Sequence, residues 1–150
     1  MNTLDKTLNI LSTYPKGTFE TNKKTKLSEI FENNIPKELN NYGVYIFTEK
    51  ASNIETIVYI GKNGTINKKG QFCTHSLARR IMQGKEERFD LKKKNYKVYW
   101  FVTISKSDLD SNNQLEPPVN VANIPSVVEC KLLEKYYELE RRLPEYNNAF

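Results

Sequence analysis

Two runs decide the fold, Tyr42-Gly43-Val44-Tyr45-Ile46-Phe47-Thr48 and Thr56-Ile57-Val58-Tyr59-Ile60-Gly61. Both are rich in β-branched and aromatic residues, which suit the pleated, half-buried surface of a strand. The segment from Lys50 to Asn53 reads as a turn, so the pair is expected as an antiparallel hairpin. Each run holds a tyrosine and a glycine, the glycine leading in the first and trailing in the second. A strand tyrosine can pack, donate a hydrogen bond or take a proton. Taken alone, Tyr45 and Tyr59 read as packing aromatics, and Gly43 and Gly61 as ordinary strand-end glycines.

Working outward, residues 96–104 (YKVYWFVTI) give a third strand. Residues 76–82 read as a helix, with Leu77 and Ile81 four apart on its buried face. A second helix is expected over 127–142. Pro125 precedes it, Ser126 caps it, Leu132, Leu133, Tyr136, Tyr137 and Leu139 form its apolar stripe, and Pro144 ends it. Residues 62–75 form a polar, glycine-bearing loop, and 105–125, with Pro117-Pro118, a long surface loop. Upstream, Leu4, Leu8 and Leu11 recur at helical spacing before Pro15-Lys16-Gly17, and Leu27, Ile30 and Phe31 suggest another helix stopped near Pro36. The expected class is α+β, a small antiparallel three-stranded sheet flanked by helices. Residues 1–40 read as an N-terminal helical extension to a main domain over 41–150.

The chain has 150 residues, enough for one domain with one core. It is 38% hydrophobic and 11% aromatic, a globular composition. There are 23 Lys+Arg against 18 Asp+Glu, a net charge of +5, which suits an anionic partner. Cys73 and Cys130 form neither a zinc pattern nor a disulfide framework and read as buried or inert thiols. A single histidine, His75, argues against a His-rich metal site. No signal layout opens the chain, and no apolar run approaches the ~20 residues of a membrane span, so a soluble, cytoplasmic protein without a membrane partner is expected.

Gly43-Val44-Tyr45 followed by Tyr59-Ile60-Gly61 resembles the paired motif of the GIY-YIG nuclease superfamily. Further landmarks follow in that family's order. An L-x-x-R-[LIV]-like helix carries Arg80 within Leu77-Ala78-Arg79-Arg80-Ile81. The later helix carries Glu129 near its start. Pro144-Glu145-Tyr146-Asn147 matches a closing P-x-Y-N pattern. The resemblance spans residues 42–148 and implies a GIY-YIG fold and a DNA endonuclease leaving 5′-phosphate and 3′-hydroxyl ends.

The implied roles fit the residue types. Phosphodiester hydrolysis needs an activated water, charge stabilisation of the transition state and help for the leaving oxygen. Glu129 would hold one divalent cation, Mg²⁺ or Mn²⁺, with waters completing the shell. Arg80 would bind phosphate oxygens with its planar fork. Tyr59 would act as general base, with Tyr45 orienting the water or the phosphate. Asn147 completes the catalytic set that the resemblance implies. Lys62, soon after Tyr59, would supply positive field. The insertion between Gly61 and Arg80 is similar to the loop of restriction endonucleases in the superfamily, where a lysine joins the site. Lys69 is the candidate, with Lys68 beside it and His75 as a secondary relay. Double-stranded DNA is the implied partner, and a two-fold homodimer on a palindromic site would supply two active sites. Alternatives are a repair, recombination or mobile-element nuclease, or an inactive nucleic-acid-binding domain on the same scaffold. Bland roles also exist: Ser126-Val127-Val128-Glu129 fits a capping box in which Glu129 only bonds the helix start.

Overall fold

The computed structural model describes residues 1–22, 24, 29, 37–73, 75–82 and 94–148. Its elements are helix α1 (Thr3–Asn9), strand β1 (Lys16–Glu20), strand β2 (Tyr42–Ala51), strand β3 (Ile54–Asn63), helix α2 (Leu77–Met82), strand β4 (Tyr96–Ile104) and helix α3 (Pro125–Glu140). The class is α+β, as the sequence pattern predicts. All strand pairs are antiparallel, in the order β1-β4-β2-β3.

The sheet has four strands, which corrects the expected three. The added strand, β1, comes from the segment read as a helical extension. It holds one large apolar residue, Phe19, and alternates exposed and half-buried positions, so its pattern barely differs from a loop. What makes it a strand is its partner. Gly17 pairs with Trp100, and a Cβ at position 17 would lie 2.2 Å from the indole Cζ2. Only glycine lets the backbone pass over that ring. The helix expected around Leu27, Ile30 and Phe31 lies outside the described residues. At the N-terminus, α1 starts where the Asn2 side-chain oxygen accepts from the Asp5 N–H at 2.8 Å.

The β2–β3 hairpin turns through Ser52 and Asn53, with φ of 51° and 63°. Two residues at positive φ between long strands match the twist of the hairpin, so the strands run further than the motifs alone suggest. The sheet has a core on each face. On one, Tyr45, Phe47, Tyr59, Trp100, Val98 and Val102 pack with Leu77, Ala78 and Ile81 of α2. On the other, Val44, Ile46, Ile60 and Phe101 pack with Leu4 and Leu11 and with Val128, Leu132, Leu133 and Tyr136 of α3. Each such side chain stabilises the fold by about 1.5–3 kcal/mol.

Helix α3 begins earlier than expected. Its N-cap is Ile124, with Pro125 in the first turn and no side-chain capping bond. Proline's fixed φ and missing N–H suit that position. The capping-box role for Glu129 therefore does not apply: Ser126 lies inside the helix and Glu129 beyond its first turn. Residues 105–125 are more ordered than a plain loop, with 3₁₀ turns at Lys106–Asp108 and Val121–Asn123 and a bridge between Leu109 and Leu115. Both cysteines are free and exposed, not buried.

Candidate active site

One row of residues crosses the whole sheet: Gly17, Trp100, Tyr45 and Gly61. Two large rings stand in the middle, and a glycine flanks them on each outer strand. A Cβ at Gly61 would lie 2.6 Å from Tyr45 Cζ, 2.6 Å from Tyr59 Cε1 and 2.7 Å from the Tyr45 hydroxyl. Gly61 is thus the socket into which both motif tyrosines lean. This gives its place in the motif a steric reason rather than a strand-end one.

Tyr59 lies two residues before Gly61 and so shares its face. The Tyr45 and Tyr59 ring centroids are 5.9 Å apart, and Phe47 closes the cluster 6.1 Å from Tyr45 and 6.4 Å from Tyr59. The Tyr45 side chain is fully buried, and its hydroxyl interacts with that of Tyr59. Burial pushes the Tyr45 hydroxyl well above its ordinary pKa of 10. The neighbouring Tyr59 and the Glu129 charge push the same way, while Arg80 pulls it down. Tyr45 is therefore a protonated donor at neutral pH. Arg80 and Glu129, distant in sequence, are thus both near enough for their charges to bear on this hydroxyl.

Arg80 stands on α2 beside the buried Leu77, Ala78 and Ile81, and its own side chain is exposed. Glu129 is half-buried on α3, whose first residue, Pro125, abuts the chain just past β3: a Cβ at Gly64 would lie 3.0 Å from the proline ring. Asn147 clamps β3 from outside. Its Nδ2 donates to the Ile60 carbonyl at 2.8 Å, and its Oδ1 accepts from the Ile60 N–H at 2.9 Å. The Tyr146 N–H adds a bond to the Val58 carbonyl at 2.8 Å. The edge of the strand that carries Tyr59 is closed in this way. Asn147 spends its amide on backbone, so its place here is that of a positioning residue.

The remaining candidates are spread around this cluster. Lys62 is half-buried and follows the parity of Ile60, so it leaves β3 on the face covered by α3, opposite to Tyr59. Lys68 and Lys69 are exposed on a turn held by Asn67, between the bridged residues Ile66 and Phe72. That turn is docked on 105–116: Gln114 donates to the Lys69 carbonyl at 2.6 Å, and the Phe72 N–H donates to the Asn113 carbonyl at 2.9 Å. His75 is exposed, and its carbonyl accepts from the Asn63 side chain.

Among the described residues, no group of three or more His, Cys, Asp or Glu could hold a metal ion. A single half-buried carboxylate suits Mg²⁺, which dehydrates reluctantly and keeps several waters. Also among the described residues, no helix is long and apolar enough to cross a membrane. Comparison with protein-family models, curated proteins and solved structures gives no match. The reading of this site rests on its residues and their geometry.

Proposed function

We propose that this chain is a metal-dependent DNA endonuclease with a GIY-YIG-type fold and site. The observation that carries the reading is the Tyr45–Tyr59 pair seated against Gly61, with ring centroids 5.9 Å apart, packed against the helix that carries Arg80. The charges of Arg80 and Glu129 also bear on the Tyr45 hydroxyl, which supports the combination that the motif resemblance implies. The fourth strand is compatible with this reading, because β1 joins the sheet beyond β4, at the edge opposite to β3.

In this reading Tyr45 stays protonated and donates to the Tyr59 oxygen, which fixes that oxygen in place. Tyr59 first passes its own phenolic proton to solvent; the resulting phenolate then takes the proton from the attacking water as the water oxygen bonds to phosphorus. The bond to the 3′ oxygen breaks, and that oxygen is protonated from solvent. Arg80, free to reach outward from α2, binds the non-bridging phosphate oxygens with its fork. Glu129 would hold the divalent cation. When bound, that ion supplies Lewis-acid charge at the phosphate. Asn147 keeps Tyr59 in register through the backbone of Ile60. Lys68 and Lys69 bring positive charge to the DNA from the docked turn and the exposed His75 adds a donor, while Lys62, on the face opposite to Tyr59, stays outside the site.

The products are 5′-phosphate and 3′-hydroxyl ends. The lysine-bearing insertion favours the restriction-type branch, in which two copies of the chain would cut the two strands. The test is nicking of supercoiled plasmid. The wild-type protein with Mg²⁺ is expected to convert it to open circles, and Glu129→Ala is expected to remain at background. Absence of nicking with both Mg²⁺ and Mn²⁺ would overturn the reading.

A further inference from the structure

We infer that Asn63 is a positioning residue that holds α2, and through it Arg80, in register with the tyrosine pair; this rests on the nuclease reading above. Asn63 ends β3 and is 3% exposed, one of few buried polar side chains described. Its amide is used at both ends. Oδ1 accepts from the Gly43 N–H at 2.9 Å, at the start of β2. Nδ2 donates to the His75 carbonyl at 2.6 Å and to the Asn41 carbonyl at 3.4 Å. The Asn41 carbonyl also accepts from the Leu77 N–H, the first of α2, at 2.8 Å. Asn41 is itself held, its Oδ1 accepting from the Lys106 N–H at 2.8 Å. One buried amide thus ties the first motif, the end of the second motif strand and the lead-in to α2.

This tie matters because of what Arg80 lacks. Its side chain is exposed and so lacks the burial that fixes a core side chain. Its position is inherited from the α2 backbone, where its N–H bonds to the Ser76 carbonyl at 3.0 Å. A turn and a half of helix is not stable alone and takes its orientation from tertiary contacts. Leu77, Ala78 and Ile81 press α2 against the sheet. Apolar contacts are non-directional and tolerate small sliding. Hydrogen bonds at the start of the helix set its rotation and height: the Leu77 N–H bonds the Asn41 carbonyl, and Asn63 ties His75, two residues before the helix, to Gly43 at the start of β2.

The experiment is a double-mutant cycle in plasmid nicking, with amide hydrogen exchange alongside. Asn63→Ala is expected to lower kcat by about 10- to 100-fold, the scale of a 1 Å misplacement, with KM for DNA little changed. If Asn63 acts through Arg80, the double variant Asn63→Ala/Arg80→Ala is no slower than Arg80→Ala alone. Additive losses would overturn the inference and leave Asn63 a generic fold residue. Hydrogen exchange reads the tether without activity. Asn63→Ala is expected to speed exchange at Leu77 and Arg80 while the β2–β4 ladder stays protected. Unchanged exchange at both amides would overturn the inference whether or not the protein nicks DNA. A wild-type protein that does not nick, with exchange changed as expected, sinks the nuclease reading and leaves the tether standing. If Asn63→Ala does not fold, Asn63→Ser takes its place, since it keeps a small polar group near the Gly43 N–H, removes the amide donor to the His75 and Asn41 carbonyls and adds no buried charge.

Discussion

Replacing Gly61 by alanine puts a methyl group where two tyrosine rings already stand. The nearest atoms, Tyr45 Cζ, Tyr59 Cε1 and the Tyr45 hydroxyl, lie 2.6, 2.6 and 2.7 Å from the new carbon. Optimal carbon contacts lie at about 3.5–4.0 Å, so both rings must retreat by about 1 Å. Tyr45 is fully buried and flanked by Phe47 and Trp100, so the shift is resisted. Overpacking of this kind costs about 1–3 kcal/mol. For a chain of this size that lowers Tm by roughly 3–9 °C. The same displacement moves the Tyr45–Tyr59 pair, so nicking is expected to fall about 100-fold. Thermal unfolding followed by circular dichroism gives the first number, and plasmid nicking at a temperature where the variant is folded gives the second. Gly17→Ala is the control. It crowds Trp100 at the other end of the row, and is expected to cost similar stability with a much smaller loss of nicking. A Gly61→Ala protein with wild-type Tm and wild-type rate would refute the idea that Gly61 is the socket for the tyrosines.

Asn147→Ala removes both bonds to Ile60, each worth about 1 kcal/mol, and is expected to cost about 2 kcal/mol in denaturant unfolding and to slow nicking. No change in either would mean that the β3 edge holds itself. The tyrosines set an alkaline limit. Burial raises the pKa of Tyr45, Tyr99 and Tyr136, and the bond from Tyr99 to Glu55 adds to the shift at Tyr99. Their unfolded forms ionise near pH 10 while the folded forms stay protonated. Stability is therefore intact below about pH 10 and falls above it, by at most about 1.4 kcal/mol per pH unit for a fully buried group such as Tyr45. Tyr99→Phe is expected to flatten that fall in urea midpoints, and an unchanged slope would contradict it. Lys68→Ala and Lys69→Ala are each expected to reduce the salt slope of DNA binding by about 1, measured by fluorescence anisotropy; slopes equal to wild type would remove the docked turn from the DNA interface.

The parts of the fold legible in the sequence are those with strong periodicity. Strands β2, β3 and β4 carry unbroken aromatic and β-branched runs, and the Leu132–Tyr136 stripe marks α3. Strand β1 was not legible, because its signal lies in Trp100, 83 residues beyond Gly17 (100 − 17). The start of α3 was misplaced because Ser126 is a good cap, while the actual device is Pro125 in the first turn. At the candidate site, Tyr45, Tyr59, Arg80 and Glu129 are candidates by motif order alone. No periodicity could relate a glutamate on α3 to a tyrosine on β2. Asn63 was missed for a different reason: it falls in the polar stretch 62–75 that reads as a loop, and that hides a buried side chain with both ends bonded. Asn147 reads in the sequence as a candidate for chemistry; its side-chain bonds go to Ile60, on the strand that holds Tyr59.

The most direct measurement is single-turnover cleavage of a labelled DNA duplex with Mg²⁺ by the wild-type protein and by Tyr59→Phe and Arg80→Ala, with DNA affinity measured for all three. The site described here predicts cleavage by the wild-type protein to 5′-phosphate and 3′-hydroxyl ends, loss of cleavage in both variants, and affinities close to wild type. A variant that still cleaves near the wild-type rate would contradict the roles given to the tyrosine pair and its arginine.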